Sequence, residues 1–394
     1  MIDLRLSDAD RRAFEAGLLA DHRVRTRVDV LDLDHNLIAT AEDGVLSGSV
    51  DVDIESDVSR TCQLELRDPD GKLNLDAQGP AQAALYADRM IRVFYGVWSE
   101  QLPQWVDVPV FTGPITSIKR NSDSVSLSAS GKESFLTVPQ SRNWIYDSGT
   151  RKTDIISQVL SDSGEEFRSI PRWSDKVTST WQCLSNEAPW QKLQQLSWTL
   201  ASRKLGTDPL LFYDGRGRCR LKSYVKASAW TFRRGVDMLT EPDISSDLSN
   251  IRNFVVVHGG VPKGSKRPVY GTATLPSSHP LSPKNLSRGG VPRYLREQID
   301  NQDITSSADA RAIAKHRLNE LGWAFVDLAF DVVPVPHLEP RDIIAVDAGE
   351  WTWRMALMKF SIPLTADGHM TISRHTHVRR MTRRVTVARK GSRR

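Results

Sequence analysis

Apolar residues recur with period two over most of this chain, interrupted by short helical stretches and by turns of Gly, Pro, Asn and Asp. Residues 24–32, with Val24, Val28 and Val30, read as a strand that ends in the polar turn Asp34-His35-Asn36. Val50-Asp51-Val52-Asp53-Ile54 alternates cleanly, as do Cys62, Leu64 and Leu66 before the turn Asp68-Pro69-Asp70-Gly71. Further strands are predicted at 90–95, 108–118 and 125–129. Helices are predicted at 7–21, capped by Ser7, and at 80–89, opened by Pro80. Short strands broken this often over about a hundred residues suggest a closed or nearly closed antiparallel barrel, because an open sheet of that size presents unpaired edges.

The pattern changes at 141–228. Thr153 opens a helix bearing Ile155, Ile156, Val159 and Leu160. Pro189 opens another, with Trp190, Leu193, Leu196 and Leu200 as its stripe and Gly206 beyond its end. Residues 210–224, centred on Asp214-Gly215-Arg216-Gly217, read as a hairpin. Period two returns at 229–262, most clearly in Phe254-Val255-Val256-Val257-His258. Residues 259–302, rich in Gly, Pro, Ser and Lys/Arg, read as a long loop of the kind that binds something or is loosely ordered. A last helix, capped by Ser307, carries Ala310, Ile313, Ala314, Leu318 and Leu321 and stops at Gly322. Strands follow at 326–332, 343–346, 353–362 and 369–373, the first two separated by a proline-rich turn at 334–342.

Two stretches carry a resemblance. The first joins the helix Ser306-x-x-Asp309-Ala310-x-x-x-Ala314, the turn Pro336-x-Leu338-x-Pro340-x-Asp342-x-Ile344 and the strand Gly368-x-Met370-x-Ile372. It resembles the last barrel of the baseplate or tail-tip hub proteins of tailed phages, departing from them at Arg341, where a glycine is expected. The second runs from Val50 through Arg60-Thr61-Cys62-x-Leu64-x-Leu66-x-Asp68-Pro69-Asp70-Gly71 to Asn74, with Val110-Phe111-Thr112-Gly113-Pro114-Ile115-Thr116. It is similar to the first barrel of minor tail and hub proteins of actinobacterial phages.

The resemblance implies a mainly β protein with α+β insertions: two tube-type antiparallel β-barrels and a small α+β middle module. The divisions are a helical arm at 1–23, a first barrel at 24–140, the middle module at 141–228, a second barrel at 229–375 with the loop 259–302, and a basic tail at 376–394. It implies a virion structural protein and no enzyme: a homotrimeric hub at the distal end of the tail tube. Such a hub continues the channel through which DNA is ejected. Its partners are a distal tail or tail-tube protein, a tape measure protein and fibre or spike proteins. It is assembled in the host cytoplasm and located in the virion tail tip. Ile343, Ile344 and Val346 belong to the second barrel's core.

Composition alters this picture little. At 394 residues with 39% hydrophobic and 26% charged positions, the chain is of ordinary globular make-up and long enough for two to four domains. No apolar run approaches the ~20 residues needed to span a bilayer, so no membrane anchor is expected. The N-terminus has acidic residues where a signal peptide has its apolar core. Cys62, Cys183 and Cys219 show no metal-ligand or redox spacing.

Charge is the informative quantity. Residues 374–394 hold nine of the 53 Lys and Arg and no Asp or Glu, which leaves 44 basic against 48 acidic residues in the body. Arg374, Arg379, Arg380, Arg383 and Arg384 are therefore candidate contacts for DNA or an acidic partner, set against a solvated terminus.

No catalytic, cofactor or metal site is predicted. Residues 259–266 miss a phosphate-binding loop by order, Gly-Ser-Lys for Gly-Lys-Ser. Asp29, Asp32, Asp34 and Asn36 lack the glycine and terminal Glu of a calcium loop. His375 and His377 lack a further zinc ligand, and His258, His316 and His337 are isolated. No hydrolase domain is expected after the second barrel. The alternatives are a tail-associated cell-wall-degrading enzyme, a nucleic-acid-binding module using the basic terminus, and the hub of a contractile injection system.

Overall fold

The computed structural model describes residues 1–42, 44–68, 85–86, 89–200, 209–222, 227–245, 251–262, 264–302, 304–321, 327–349, 351–373 and 378–383. The predicted helix at 80–89, the turn at 69–71, Gly206, Gly322 and Val326 lie wholly or mostly outside them.

The helix α1 (Asp8–Gly17) is capped by Ser7, whose hydroxyl accepts the Asp10 amide at 3.1 Å. Seven strands follow: β1 (His22–Leu31), β2 (Leu37–Glu42), β3 (Val45–Asp53), β4 (Arg60–Arg67), β5 (Met90–Ser99), β6 (Leu102–Arg120) and β7 (Ser124–Ser130). They lie in the order β2-β1-β5-β6-β7-β4-β3, all antiparallel. The alternation in β4 becomes Cys62, Leu64 and Leu66 inside, with Thr61 and Gln63 outside. The Val110–Thr116 motif is the corner of this sheet. Up to Pro114, β6 pairs with β5; from Ile115 it pairs with β7. At the corner a Cβ on Gly113 would sit 1.9 Å from the Ser130 carbonyl oxygen, so only glycine lets the two strands pass.

The middle module is α+β. It comprises β8 (Trp144–Tyr146), α2 (Lys152–Asp162), β9 (Arg168–Ser169), β10 (Trp181–Cys183), α3 (Pro189–Trp198), β11 (Leu210–Tyr213) and β12 (Cys219–Lys222). Its core joins the stripes of α2 and α3 (Ile156, Val159, Trp190, Leu193) to Leu211 and Tyr213 of the β11–β12 hairpin.

The remaining strands are β13 (Ser228–Arg233), β14 (Asp243–Ser245), β15 (Phe254–Gly259), β16 (Tyr270–Thr274), β17 (Arg296–Asn301), β18 (Asp327–Val332), β19 (Ile343–Asp347), β20 (Trp351–Ala356), β21 (Lys359–Pro363), β22 (Met370–Ile372) and β23 (Val378–Arg383), with α4 (Ser307–Leu321) before β18. Strand β21 pairs with β3, so β21-β22-β18-β14 extends the first sheet to eleven strands. Strands β13-β19-β20-β23 form a second sheet facing the same core, where Phe232, Ile344 and Met355 meet Phe330 and Phe360.

Four details differ from the sequence reading. Residues 353–362 are two strands in different sheets, because the chain turns inward at the buried Leu357 and Met358. The cap of α4 is Ser306, whose hydroxyl accepts the Asp309 amide at 3.3 Å, not Ser307. The stretch 259–302 contains β16 and β17, which flank β15 and pack with it on α4 through Val255, Val257, Ala310 and Ala314. Arg341, standing where glycine was expected, has φ +58°, a left-handed turn that costs a non-glycine residue ~1 kcal/mol or more. The predicted turn thus forms with a strained residue at its corner.

Candidate functional site: a buried junction and open sheet edges

Charged side chains are buried where the first β unit, the middle module and the 334–342 turn meet. Arg60 of β4 is 2% exposed. Its Nη1 donates to the Val110 carbonyl at 2.9 Å and its Nε to the Tyr213 carbonyl at 3.3 Å, so one guanidinium ties β4 to β6 and β11. Glu133 accepts from the Ser59 hydroxyl, and burial pushes its carboxyl up. Lys132 pairs with Glu165 at 2.7 Å. The Asp214 carboxylate accepts the Arg216 and Arg218 amides at 3.0 and 2.9 Å and so closes the β11–β12 turn. Burial, then the Glu339 charge, raises it.

The same hairpin reaches the second β unit. Arg220 lies 3.3 Å from Glu339, and Lys222 lies 2.7 Å from Asp342. The Met1 ammonium closes on Asp342 at 2.6 Å. Burial pushes Asp342 up, but Lys222 and that ammonium outweigh it and hold the carboxyl low. Removing one member of such a set leaves its partners charged and dry, so the contacts fix how the modules sit. Burial raises the Cys62 and Cys219 thiols, the reverse of an activated nucleophile.

His35, in the β1–β2 turn, joins the same region. Arg92 Nη2 is 2.7 Å from its Nδ1, Lys132 Nζ is 2.9 Å from its Nε2, and Phe167 packs on the ring at 5.3 Å. Burial first, then Lys132 and Arg92, lower its pKa to about 4. As pH falls below the usual ~6.5, the unfolded chain takes up this proton first, so stability is lost between there and about 4. We expect His35→Asn, which tolerates the left-handed φ of +66° and does not titrate, to flatten denaturation midpoints measured from pH 7 to 4.5. The buried His337, also lowered, keeps some slope. An unchanged slope would show that His35 is not the titrating group.

Three of the candidate arginines are on a strand. Arg379, Arg380 and Arg383 lie in β23 at the edge of its sheet, with Arg380 opposite Arg354 and Arg383 opposite Trp351. Arg374, Arg384, His375 and His377 lie outside the described residues. Asp32 spends its carboxylate on the Asp34 and Asn36 amides and on Asn36 Nδ2, while Asp29 lies 3.4 Å from Arg27, so neither is arranged as a calcium ligand. Among the described residues no cluster of three or more His, Cys, Asp or Glu could hold a metal. His316 stacks on Trp198 and His337 lies between Phe14 and Trp230, both as packing groups. Sequence reading missed the buried junction, whose members are scattered from 1 to 342; its one local signal was the charged turn Glu339-Pro340-Arg341-Asp342.

The eleven-strand sheet ends at β2 and β14. Beside the first of these edges, Leu33, Leu37 and Ile38 are exposed by 47, 61 and 39%. Apolar groups beside a free strand edge mark a surface that another chain can cover.

No protein-family model matches the chain, and comparison with curated proteins finds no match. Solved structures do match. The 43 kDa tail protein of prophage MuSo2 from Shewanella oneidensis superposes with TM-score 0.59 at 12% identity, over 89% of this chain and 98% of that one. A tail protein from Neisseria meningitidis MC58 gives 0.57 at 15% identity, over 91% and 96%. A chain of the lidless PdpA–VgrG complex gives 0.50 at 8% identity, over 92% and 66%. Over about nine-tenths of its length, then, this chain has the fold of phage tail proteins.

Proposed function

We propose that the chain is a structural protein of a phage tail: a homotrimeric hub at the distal end of the tail tube. Each subunit would contribute two β-barrel units, so three subunits place six around one channel and match a three-fold tip to a six-fold tube. The β3–β21 pairing carries this reading, because it sets two β units side by side in one continuous sheet. The likeness to tail proteins over about nine-tenths of the chain supports it. The exposed leucines beside β2 supply an apolar contact for the neighbouring subunit.

The role is architectural. The ring continues the conduit for DNA, seats a tail-tube or distal tail protein and the tape measure protein on one side, and anchors fibre or spike proteins on the other. Arg374, Arg379, Arg380, Arg383 and Arg384 would face DNA or an acidic neighbour. The barrel, module and tail divisions given above belong to the same proposal. A second form of the proposal is that the same hub serves an injection machine without a genome. Among the described residues no helix is long and apolar enough to cross a membrane.

Imaging of the purified chain by electron microscopy, with its mass from sedimentation, tests the reading. A three-fold ring with a central pore is expected. A monomer at all concentrations, or a closed two-fold dimer, would sink it.

A further inference from the structure

Two blocks of opposite charge lie far apart in this chain. Residues 28–59 carry nine Asp or Glu and no Lys or Arg, while residues 259–296 carry seven Lys or Arg and no Asp or Glu.

The basic block holds a built hairpin. Arg288 and Val291 exchange both backbone hydrogen bonds at 3.1 Å across Gly289 and Gly290, whose φ values of +59° and +80° suit glycine. The loop behind the tip is braced. The buried Asn253 side chain donates to the Leu281 and Arg293 carbonyls at 3.1 and 3.0 Å, and the Arg293 amide donates to the Pro283 carbonyl at 3.0 Å. Val291 at the tip is 68% exposed. Lys284, Arg288 and Arg293 are exposed too, and none of them forms an ion pair among the described residues. A hairpin already ordered in this way loses little conformational entropy on contact.

The acidic block offers a concave counterpart. Along the β3–β21 pairing, Asp51, Asp53, Ser56, Thr61, Lys359 and Ser361 line a depression of about 370 Å³. Lys359 is taken by Asp53 at 3.0 Å. Asp51 and Asp57 are exposed and form no ion pair among the described residues. The depression therefore joins surplus carboxylate to hydroxyl groups, both of which accept from a guanidinium.

We propose that the 284–293 hairpin of one copy docks in the β3–β21 depression of a neighbouring copy. Arg288 and Arg293 meet Asp51 and Asp57, with the Ser56, Thr61 and Ser361 hydroxyls as further acceptors. Charge complementarity selects the occupant. One polypeptide carries both unmatched sets, so two copies side by side satisfy each other, whereas a nucleic acid would cover the cations and leave the carboxylates unmatched. Exposed charges of this kind set register and encounter rate more than raw affinity. The contact rests on the homotrimer reading only in taking the neighbour to be a like copy; it adds which surface meets which.

Sedimentation of the full chain over a range of salt concentrations is the test. Arg288→Glu with Arg293→Glu should weaken self-association about tenfold and flatten its salt dependence. Asp51→Lys with Asp57→Lys should do the same. A chain carrying all four reversals should return to within about threefold of the parent. The circular dichroism spectrum should stay the same throughout, because these four groups form no ion pair within the fold. The contact is overturned if the parent does not associate at low salt, if either pair of reversals has no effect, or if the four together fail to restore association. Loss of labelled oligo-dT binding in the Arg288 and Arg293 variant, with association unchanged, would assign the hairpin to nucleic acid instead. A three-fold ring indifferent to the reversals sinks this contact alone; a closed two-fold dimer lost and regained with them sinks the ring alone.

Discussion

Arg60→Ala is expected to cost about 3–5 kcal/mol, among the largest single losses available in this chain. The guanidinium is almost fully buried and holds the Val110 and Tyr213 carbonyls, which belong to different modules. Truncation strips both carbonyls of a donor. It also removes one cation from beside the buried Asp214 and Glu339, leaving Arg220, at 3.7 and 3.3 Å, to serve both. Arg60→Lys should not rescue it, because an ammonium cannot fork to two carbonyls set apart on β6 and β11. Denaturant midpoints of the three proteins give the comparison, and limited proteolysis near 131–140 reports whether the middle module has loosened. A loss below about 1 kcal/mol would mean that the junction is an incidental cluster rather than a clamp.

That clamp was largely invisible in the sequence, and the reason is physical. Strands announce themselves locally: Cys62, Leu64 and Leu66 alternate with polar residues, and all three proved buried. The Ser7 cap and the stripes of α2 and α3 were legible for the same reason. What alternation cannot register is which strands become neighbours. The seam β3–β21 joins residues three hundred positions apart, and Arg60 meets Tyr213 and Glu339 only through the fold. The stretch 259–302 read as a loop because β16 is short and glycine-bearing while β17 is almost wholly polar on its open side. Helical or strand period needs a buried face to show itself, and here the burial comes from α4, which lies outside the stretch. Val378–Arg383 read as a basic tail because its charge outweighs its alternation, although β20 supplies it with a partner strand.

Phe360→Ala tests the seam itself and is expected to cost about 3–5 kcal/mol. Phe360 is 1% exposed on β21, directly opposite Val52 of β3, with Ile362 opposite Val50 in the same ladder. These four side chains lie in one core with residues of both β units, so a cavity there is shared by both and cannot be relieved by moving one of them. The two units should therefore unfold in one transition in the parent protein, and that transition should shift as a whole in the variant. Ser361→Ala, next in sequence but on the other face opposite Asp51, removes a half-buried hydroxyl and should change the midpoint by no more than about 0.5 kcal/mol. Calorimetry with both variants separates the cases. Two transitions in the parent, only one of which moves, would show that β3 and β21 merely touch, and the side-by-side placement on which the ring depends would lose its mechanical basis.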